Sequence, residues 1–449
     1  MGLPISIVSK APNPFYPDGD GFDENTTIVF SLGKKSWVWI RIYSFGGQLV
    51  RNLVFGQSMA AGIHQVDWNG LDQAGERLPP DVYTIKILIQ VGSVYYMAAT
   101  QVMLMSRFSE PVENPVYSPP DQQAQYPCVL FDEDRFGVPA GPPYLMWYDS
   151  AEPPLLTPQI NLASSFDGVN WTDEGTVSGL INPARCFVLY NPNWAGIKFK
   201  MWYWDTTIND SIEAIRYAES SDGNLWINDQ GVTQNSVLRL VSGEPGTWNT
   251  FTFGPRFVVY TPGAPNAGIF PENHTYAMYY NVSPDLEKQV TGLAYSSDGL
   301  NWQVAQNLPV LTGTNFGGEE LLDRQYTWDE YSVVLNSIAK TRSGMWIALY
   351  SAGDDITGIY KGIGFAFSPN GLNWVKGSFS NPLMHINDGA AWRESTTFTP
   401  FLVADRNKFS GFGEAVRVKI WFSGSEEVVG LHPEEKFGIG YAVLTAEVS

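Results

Sequence analysis

The chain has 449 residues, 44% of them hydrophobic and 16% charged, so it can fill more than one packed core and is not a disordered polymer. Its formal charge of −19 excludes nucleic acid and anionic membrane surfaces as expected partners, because phosphate binding needs clustered Lys and Arg. With 43 Gly, 30 Pro, 16 Trp, 22 Tyr and 25 Phe, the composition predicts many short strands joined by tight turns, and no apolar run reaches the length of a membrane span.

The start, Met1 to Val8, has no basic n-region, long apolar stretch or cleavage site, so no signal peptide is expected there. Two readings stay open: a leader has been removed, or the protein leaves its cell by another route such as lysis, as a phage particle component would. Residues 8–106 then alternate strand-like runs with turn clusters. Thr27–Leu32, Trp37–Tyr43 and Val82–Ile89 are rich in β-branched and aromatic residues, while Gly46-Gly47, Asn69-Gly70 and Pro79-Pro80-Asp81 punctuate them. This pattern predicts a β-sandwich of about 100 residues.

Within that segment, Pro12-Asn13-Pro14-Phe15, Asp18-Gly19-Asp20-Gly21, Ile42-Tyr43…Gly47-Gln48-Leu49-Val50-Arg51 and Trp68-Asn69-Gly70…Gly75 follow one another in order. Their succession resembles the Ig-like domain of the flagellar hook-capping protein, a module that recurs in secreted bacterial proteins. The resemblance implies a structural or docking module without an active site. It departs at Asp81, where the family usually has Gly. Asp18, Asp20 and Asp23, with glycines between them, could converge on a calcium ion, although the spacing is not that of an EF-hand loop. A solvated acidic turn is the other reading.

Residues 107–126, with Pro111, Pro115, Pro119 and Pro120, read as an extended linker. Beyond it, over 127–449, the chain repeats itself. The pattern Ala-x-Ser-x-(Asp/Asn)-Gly-x-x-Trp occurs at 163–171, 218–226, 294–302 and 366–374. Asp-Gly and Asn-Gly suit a two-residue hairpin turn, and the Trp that follows offers an apolar face to a neighbouring sheet. Upstream of each hairpin lies an aromatic strand such as Tyr144–Tyr148 or Phe199–Tyr203, and upstream again an apolar inner strand. A fifth unit has the inner strand Phe401–Val403 and the aromatic strand Val418–Phe422 but no hairpin. The expected fold is therefore all-β: an Ig-like β-sandwich followed by a five-bladed β-propeller, whose last blade takes its outer strand from the linker around 107–118. Cys128 and Cys186 are too few for a disulfide framework; they are placed at corresponding positions of two blades, as buried thiols or as a single staple.

The Met-Trp-Tyr strands and Ser-x-Asp-Gly-x-x-Trp hairpins resemble the five-bladed propellers of furanosidases and related glycoside hydrolases of the arabinanase and invertase type. The resemblance implies acids at the axial ends of the inner strands, commonly an Asp before Pro. Here those places hold Tyr126, Asn182, Gly254 and Thr399. Asp329, Glu330 and Glu394 are the nearest candidate acids, with Glu319, Glu320 and Asp323 in the preceding loop. Four His residues, scattered over the chain, support neither a zinc site nor a Ser-His-Asp triad.

Binding is the remaining chemistry. Arg185, Arg256 and Arg393 stand at inner-strand entries, and Trp248, Trp328 and Trp392 precede three blades at similar offsets. Aromatic faces with planar donors suit sugar rings, although large aromatics also fill gaps between blades. The expectation is a non-catalytic protein, extracellular or on a cell or particle surface, whose propeller binds glycan or acts as a scaffold for other surface proteins. A five-bladed glycoside hydrolase or phosphorylase and a structural virion component are the alternatives.

Overall fold

The computed structural model describes residues 4–11, 13, 15, 17, 24–44, 46–78, 81–104, 108–119, 123–150, 158–206, 215–228, 251–261, 274–283, 288–305, 309–313, 328–340, 346–353, 360–376, 382–386, 390–404, 417–426 and 437–445. Seven strands come first: β1 (Ile5–Ala11), β2 (Thr26–Leu32), β3 (Ser36–Tyr43), β4 (Leu49–Met59), β5 (Gly62–Trp68), β6 (Asp81–Val91) and β7 (Val94–Leu104). They form two antiparallel sheets, β1-β2-β5 and β4-β3-β6-β7. The period-2 pattern turns Ile28, Phe30 and Leu32 of one sheet towards Val38, Ile40, Ile42, Ile85, Ile87 and Ile89 of the other, and all are buried in one core. Trp68 seals it between Phe15 and Tyr83, with ring centroids 5.3 and 5.1 Å away. Val82 of β6 instead shares an apolar cluster with Leu349, Ile363, Leu402 and Phe422 of the later sheets.

After β8 (Phe108–Ser109) come four sheets of consecutive strands. Blade 1 is β9 (Gln125–Phe131), β10 (Tyr144–Ser150), β11 (Gln159–Ser165) and β12 (Trp171–Thr176); blade 2 is β13 (Pro183–Tyr190), β14 (Phe199–Asp205), β15 (Ile215–Ser220) and β16 (Ile227–Asn228). Blade 3 is β17 (Phe251–Tyr260), β18 (Tyr276–Ser283), β19 (Val290–Ser296) and β20 (Gln303–Val304); blade 4 is β21 (Ser332–Lys340), β22 (Trp346–Gly353), β23 (Gly362–Ser368) and β24 (Val375–Lys376), with β25 (Met384–His385) added on β23. Blade 5 is β26 (Thr396–Ala404), β27 (Arg417–Ser425), β28 (Phe437–Thr445) and, from far upstream, β8. The first strands touch in a closed ring: β9 on β13, β13 on β17, β17 on β21, β21 on β26, and β26 on β9. That is a five-bladed propeller.

The ring is closed by backbone. Phe108 and Ser109 pair with Leu444 and Val443, and Tyr117 exchanges two hydrogen bonds with Ile439, at 3.1 and 2.8 Å. Between them the Asn114 amide donates to the Tyr441 carbonyl (3.0 Å) and accepts its N–H (2.8 Å), acting as one more rung. The segment ahead of blade 1 thus occupies the edge that blade 5 would otherwise leave open.

Each Ser-x-(Asp/Asn)-Gly turn is built alike. The hydroxyl of Ser165 accepts the N–H groups of Asp167 and Gly168, and Asp167 Oδ1 accepts those of Val169 and Asn170. Ser220, Ser296 and Ser368 repeat the arrangement with Asp222, Asp298 and Asn370. The turn is longer than the expected two-residue hairpin. Only its glycine has positive φ, +80°, +82°, +82° and +71° at Gly168, Gly223, Gly299 and Gly371, because the Asp or Asn serves as a side-chain acceptor instead.

These turns hold the blades together. Trp147 donates its indole N–H to the Gly223 carbonyl of blade 2 (2.9 Å), Trp202 to Gly299 of blade 3 (2.8 Å), and Trp421 to Gly168 of blade 1 (2.8 Å). The Tyr279 hydroxyl does the same to Gly371 of blade 4. Blade 4 has Leu349 at this position, facing the one blade whose chain lacks the turn motif.

Candidate functional site

Antiparallel strands bring the start of the first strand, the end of the second and the start of the third to one edge of every blade. At that edge the first strands bulge: the pairing shifts at Tyr126-Pro127, Arg185-Cys186, Arg256, Asn336 and Thr399-Pro400. A bulge re-aims the side chain it carries. Tyr126, Asn182, Arg185 and Thr399 have φ of +56°, +43°, +51° and +49°, a region that costs non-glycine residues about 1–3 kcal/mol and that clusters at functional sites. The second strands add Asp149, Trp204, Asn281, Ser351 and Ser423 as one aligned column.

These residues meet across the axis. Tyr126 of blade 1 touches blade 2 through Arg185 (Cζ 4.8 Å from the ring centroid), blade 3 through Arg256 (5.2 Å) and blade 5 through Phe398 (centroids 5.3 Å apart). A ring in contact with three other blades lies over the channel mouth. Trp204 covers Arg185 from another side, its ring centroid 4.7 Å from Cζ. Gly254 passes beneath: a Cβ there would lie 2.8 Å from Trp204 Cβ, and its φ is +99°. On the far side, Phe398 stacks on Tyr360 (5.8 Å, 7°) and Thr399 Oγ1 is 2.7 Å from Ser423 Oγ. Ser423 Oγ also accepts the Tyr126 N–H at 2.9 Å. Below the mouth the axis is filled by Phe187, Phe257 and Phe401, whose centroids are 4.8 to 6.3 Å apart. The mouth is a basin with a floor.

Among the described residues one carboxylate belongs to it. Asp149 is 4% exposed, and its Oδ1 accepts the Arg185 backbone N–H at 2.6 Å. Burial drives its carboxyl up to about 7, against the pull of that N–H and of the Arg185 and Arg256 charges. Burial also lowers the Arg256 guanidinium, and the like charge of Arg185 adds to this.

Of the residues singled out in the sequence, the basin therefore brings together Arg185 and Arg256. The others sit apart. Trp328 stacks on Tyr350 (5.7 Å, 9°) over Gly362 and Gly364, and Trp392 lies against Phe422 (5.5 Å) over Gly424 and Gly440. Both rings rest on floors that only glycine leaves room for. Arg393 is buried, donating to the His385 carbonyl (2.7 Å) and to Glu110 (3.0 Å), so it ties the closing segment to blade 5. Asp329 is buried against Lys376 (2.8 Å) and the Tyr350 hydroxyl (3.2 Å). Glu330 is half-buried, Glu394 is exposed, and neither has a side-chain partner among the described residues. Trp248, Glu319, Glu320, Asp323 and the calcium candidates Asp18, Asp20 and Asp23 lie outside the described residues, among which no cluster of three His, Cys, Asp or Glu side chains could hold a metal.

Asp149, Tyr126 and Trp204 were not anticipated as site residues. For Asp149 and Trp204 the signal is the position after the aromatic strand's Tyr, one residue beyond the repeat alignment, while Tyr126 holds one of the inner-strand ends already marked in the sequence. The same register corrects the cysteines. Cys128 pairs with Trp147 as Phe187 pairs with Trp202, so Cys186 aligns with Pro127 instead, inside the bulge. Both are buried free thiols.

No family model matches the chain, and no curated protein matches it. Solved structures do. BT0996, solved in a complex with RGII, aligns with TM-score 0.50 and 14% identity, over 75% of this protein and 93% of that one. An N-acetylgalactosamine deacetylase from F. plautii, solved with blood group B trisaccharide, aligns at 0.47 and 14%, over 76% and 94%. A family 117 glycoside hydrolase from Zobellia galactanivorans aligns at 0.44 and 16%, over 77% and 90%. The likeness is one of fold. Propellers host unrelated chemistries, so the site has to be argued from its own residues.

Proposed function

We propose that the propeller recognises a glycan in the axial basin, without cleaving it. The supporting observation is the convergence of Tyr126, Trp204, Arg185 and Arg256 at one end of the propeller axis, with three Phe rings packed on each other beyond them. Aromatic faces offer flat apolar contact to a sugar ring, and guanidinium edges orient its oxygens. A glycan, RGII, is also the ligand named for the BT0996 structure. Among the described residues the basin holds a single carboxylate, whereas glycoside hydrolysis uses two on opposite sides of the bond. Residues 8–106 are, on this reading, an Ig-like docking module that presents the propeller (127–449) at a cell or particle surface.

A glycan array probed with the full-length protein tests the reading. Bound glycans should be lost in Tyr126→Ala, and a parent that binds none refutes recognition. Asp149 favours a second reading, a glycoside hydrolase: a carboxyl held near neutrality suits a general acid. Turnover of aryl glycosides that disappears in Asp149→Asn would establish it.

A further inference from the structure

The four-stranded sheet of the sandwich buries one face and leaves the other open. The two-residue period that turns Val38 and Ile40 inward turns Trp37 and Trp39 outward, and Leu88 and Met97 stand beside Trp39 on β6 and β7. The Tyr95 ring of β7 lies 6.4 Å from that of Trp39. A bulge in β4 sets Phe55 and Gly56 opposite Trp39, and the indole lies where a side chain of Gly56 would be: a Cβ there would come within 3.4 Å of Nε1. An antiparallel sheet with one wet face normally carries polar residues on it. Here Phe55 is 76% exposed, Met97 62%, Tyr95 57% and Trp37 52%.

The patch lies at the end of the sheet away from the propeller. Val82, near the start of β6, is in the cluster shared with blades 4 and 5, and Leu88 is about 20 Å further along the strand. A covered aromatic side chain buries about 150–250 Å², so these four exposures leave about 500 Å² open before Trp39, Leu88 and the strand margins are added. A typical monomer's largest apolar patch is about 300–600 Å², and a stable interface takes about 800 Å² from each partner. A second sheet packed flat on this one, as inside a sandwich, would cover the whole face.

Composition favours a protein over a sugar. Trp, Tyr, Phe and Met are the types enriched in protein interfaces, whereas a sugar site sets orienting donors beside its rings. Gln90, between Trp37 and Tyr95, donates its amide to the Gly92 carbonyl instead (2.9 Å). Charge then selects the partner. Residues 1–106 hold 7 Lys or Arg and 8 Asp or Glu, so nearly all of the formal −19 lies on the rest of the chain. Two copies can meet at this end without bringing their acidic propellers together. Strand β7 carries no charge, and the acid in the sheet's sequence is Asp81, at the far end of β6. Cations lie at the margins: Lys34 and Lys35 in the turn before β3, and Lys86 over the Tyr43 ring (4.4 Å). The uncharged centre is complementary to itself under a two-fold axis, which sets each apolar side chain against another.

We propose that the sandwich is a dimerisation module: two copies of this chain pack the outer faces of their β4-β3-β6-β7 sheets together about a two-fold axis, with both propellers outside the interface. The dimer does not depend on the glycan reading.

Sedimentation equilibrium of the full-length protein tests it. Over about 1–100 μM, the weak end of what an interface of this size supports, the mass should rise to that of two chains and no further. Phe55→Ser and Met97→Ser should each weaken the dimer about ten-fold or more. Ile63→Ser, at an apolar position of the other sheet that is 73% exposed, should leave it unchanged. Raising NaCl from about 0.05 to 0.5 M should strengthen the dimer, because salt screens the like charges of the two margins, whereas docking on an acidic partner would weaken. These side chains are exposed, so the unfolding midpoint should hold; should one variant not fold, the other decides. A monomer at every concentration, growth beyond two chains, or weakening by salt overturns the proposal. So does a dimer indifferent to Phe55→Ser and Met97→Ser, or one lost equally in Ile63→Ser.

Discussion

Asp149→Asn isolates the buried carboxylate that the described residues place in the basin. Its carboxyl moves from 3.8 in the open chain to about 7 in the fold, chiefly because burial disfavours the charged form. The folded state therefore holds this proton after the unfolded chain has released it. The stabilisation is complete below about pH 4 and is lost as pH rises to about 7, where the folded group also ionises. A displacement of that size corresponds to about 4 kcal/mol. In Asp149→Asn the amide oxygen can still accept the Arg185 N–H, now 2.6 Å from Oδ1, but there is no proton to lose. Urea denaturation followed by near-ultraviolet circular dichroism, at steps from pH 4 to 8, gives both stabilities. The parent minus the variant should fall by about 4 kcal/mol over that range, because contributions from the other carboxylates cancel. A difference that stays flat, or rises with pH, would refute the description of Asp149 as a desolvated acid.

The blade-to-blade contacts give two further expectations. Gly223 and Gly175 share a left-handed backbone (φ +82° and +88°), but a Cβ at Gly223 would lie 2.9 Å from Trp147 whereas one at Gly175 meets nothing within 4 Å. Gly175→Ala should cost about 1–2 kcal/mol from the backbone alone, and Gly223→Ala about 1–3 kcal/mol more from overpacking; equal losses in thermal unfolding would contradict the packing argument. Trp421→Phe removes the indole that donates to Gly168 and closes the ring between blades 5 and 1, and should lose about 2–4 kcal/mol through the cavity and the orphaned carbonyl together. An unchanged unfolding midpoint would show that the ring does not depend on this contact.

Much of the architecture was legible because it is made locally. The Ser-x-(Asp/Asn)-Gly turn satisfies itself within a few residues, from Ser165 to Asn170, so its recurrence marks four of the five blades from the sequence alone. The aromatic strand and its Trp repeat with it, and the inward residues of β2 and β3 follow the two-residue period of a half-buried strand. The missing turn in the fifth unit was also legible. It coincides with Leu349 in blade 4, where the other blades place a Trp or Tyr that donates to the next turn.

What lies beyond the sequence is whatever depends on strands far apart in the chain. The resemblance already put Tyr126 and Thr399 at inner-strand ends, and the repeat put Arg185 and Arg256 at inner-strand entries, but a bulge is invisible to periodicity, so the sequence did not show which of these side chains would meet or that Cys186 would fall out of register with Cys128. The partners of Arg393 and Arg256 are questions of the same kind. Glu110 reaches Arg393 only because the ring closes on the segment ahead of blade 1, while Asp149 is held by the Arg185 backbone, one blade from Arg256. The sequence by itself determined the number and type of the repeating units, since each encodes its own turn and its own apolar face. Only the tertiary structure decided which polar side chains share a basin, because that depends on closing five sheets around one axis.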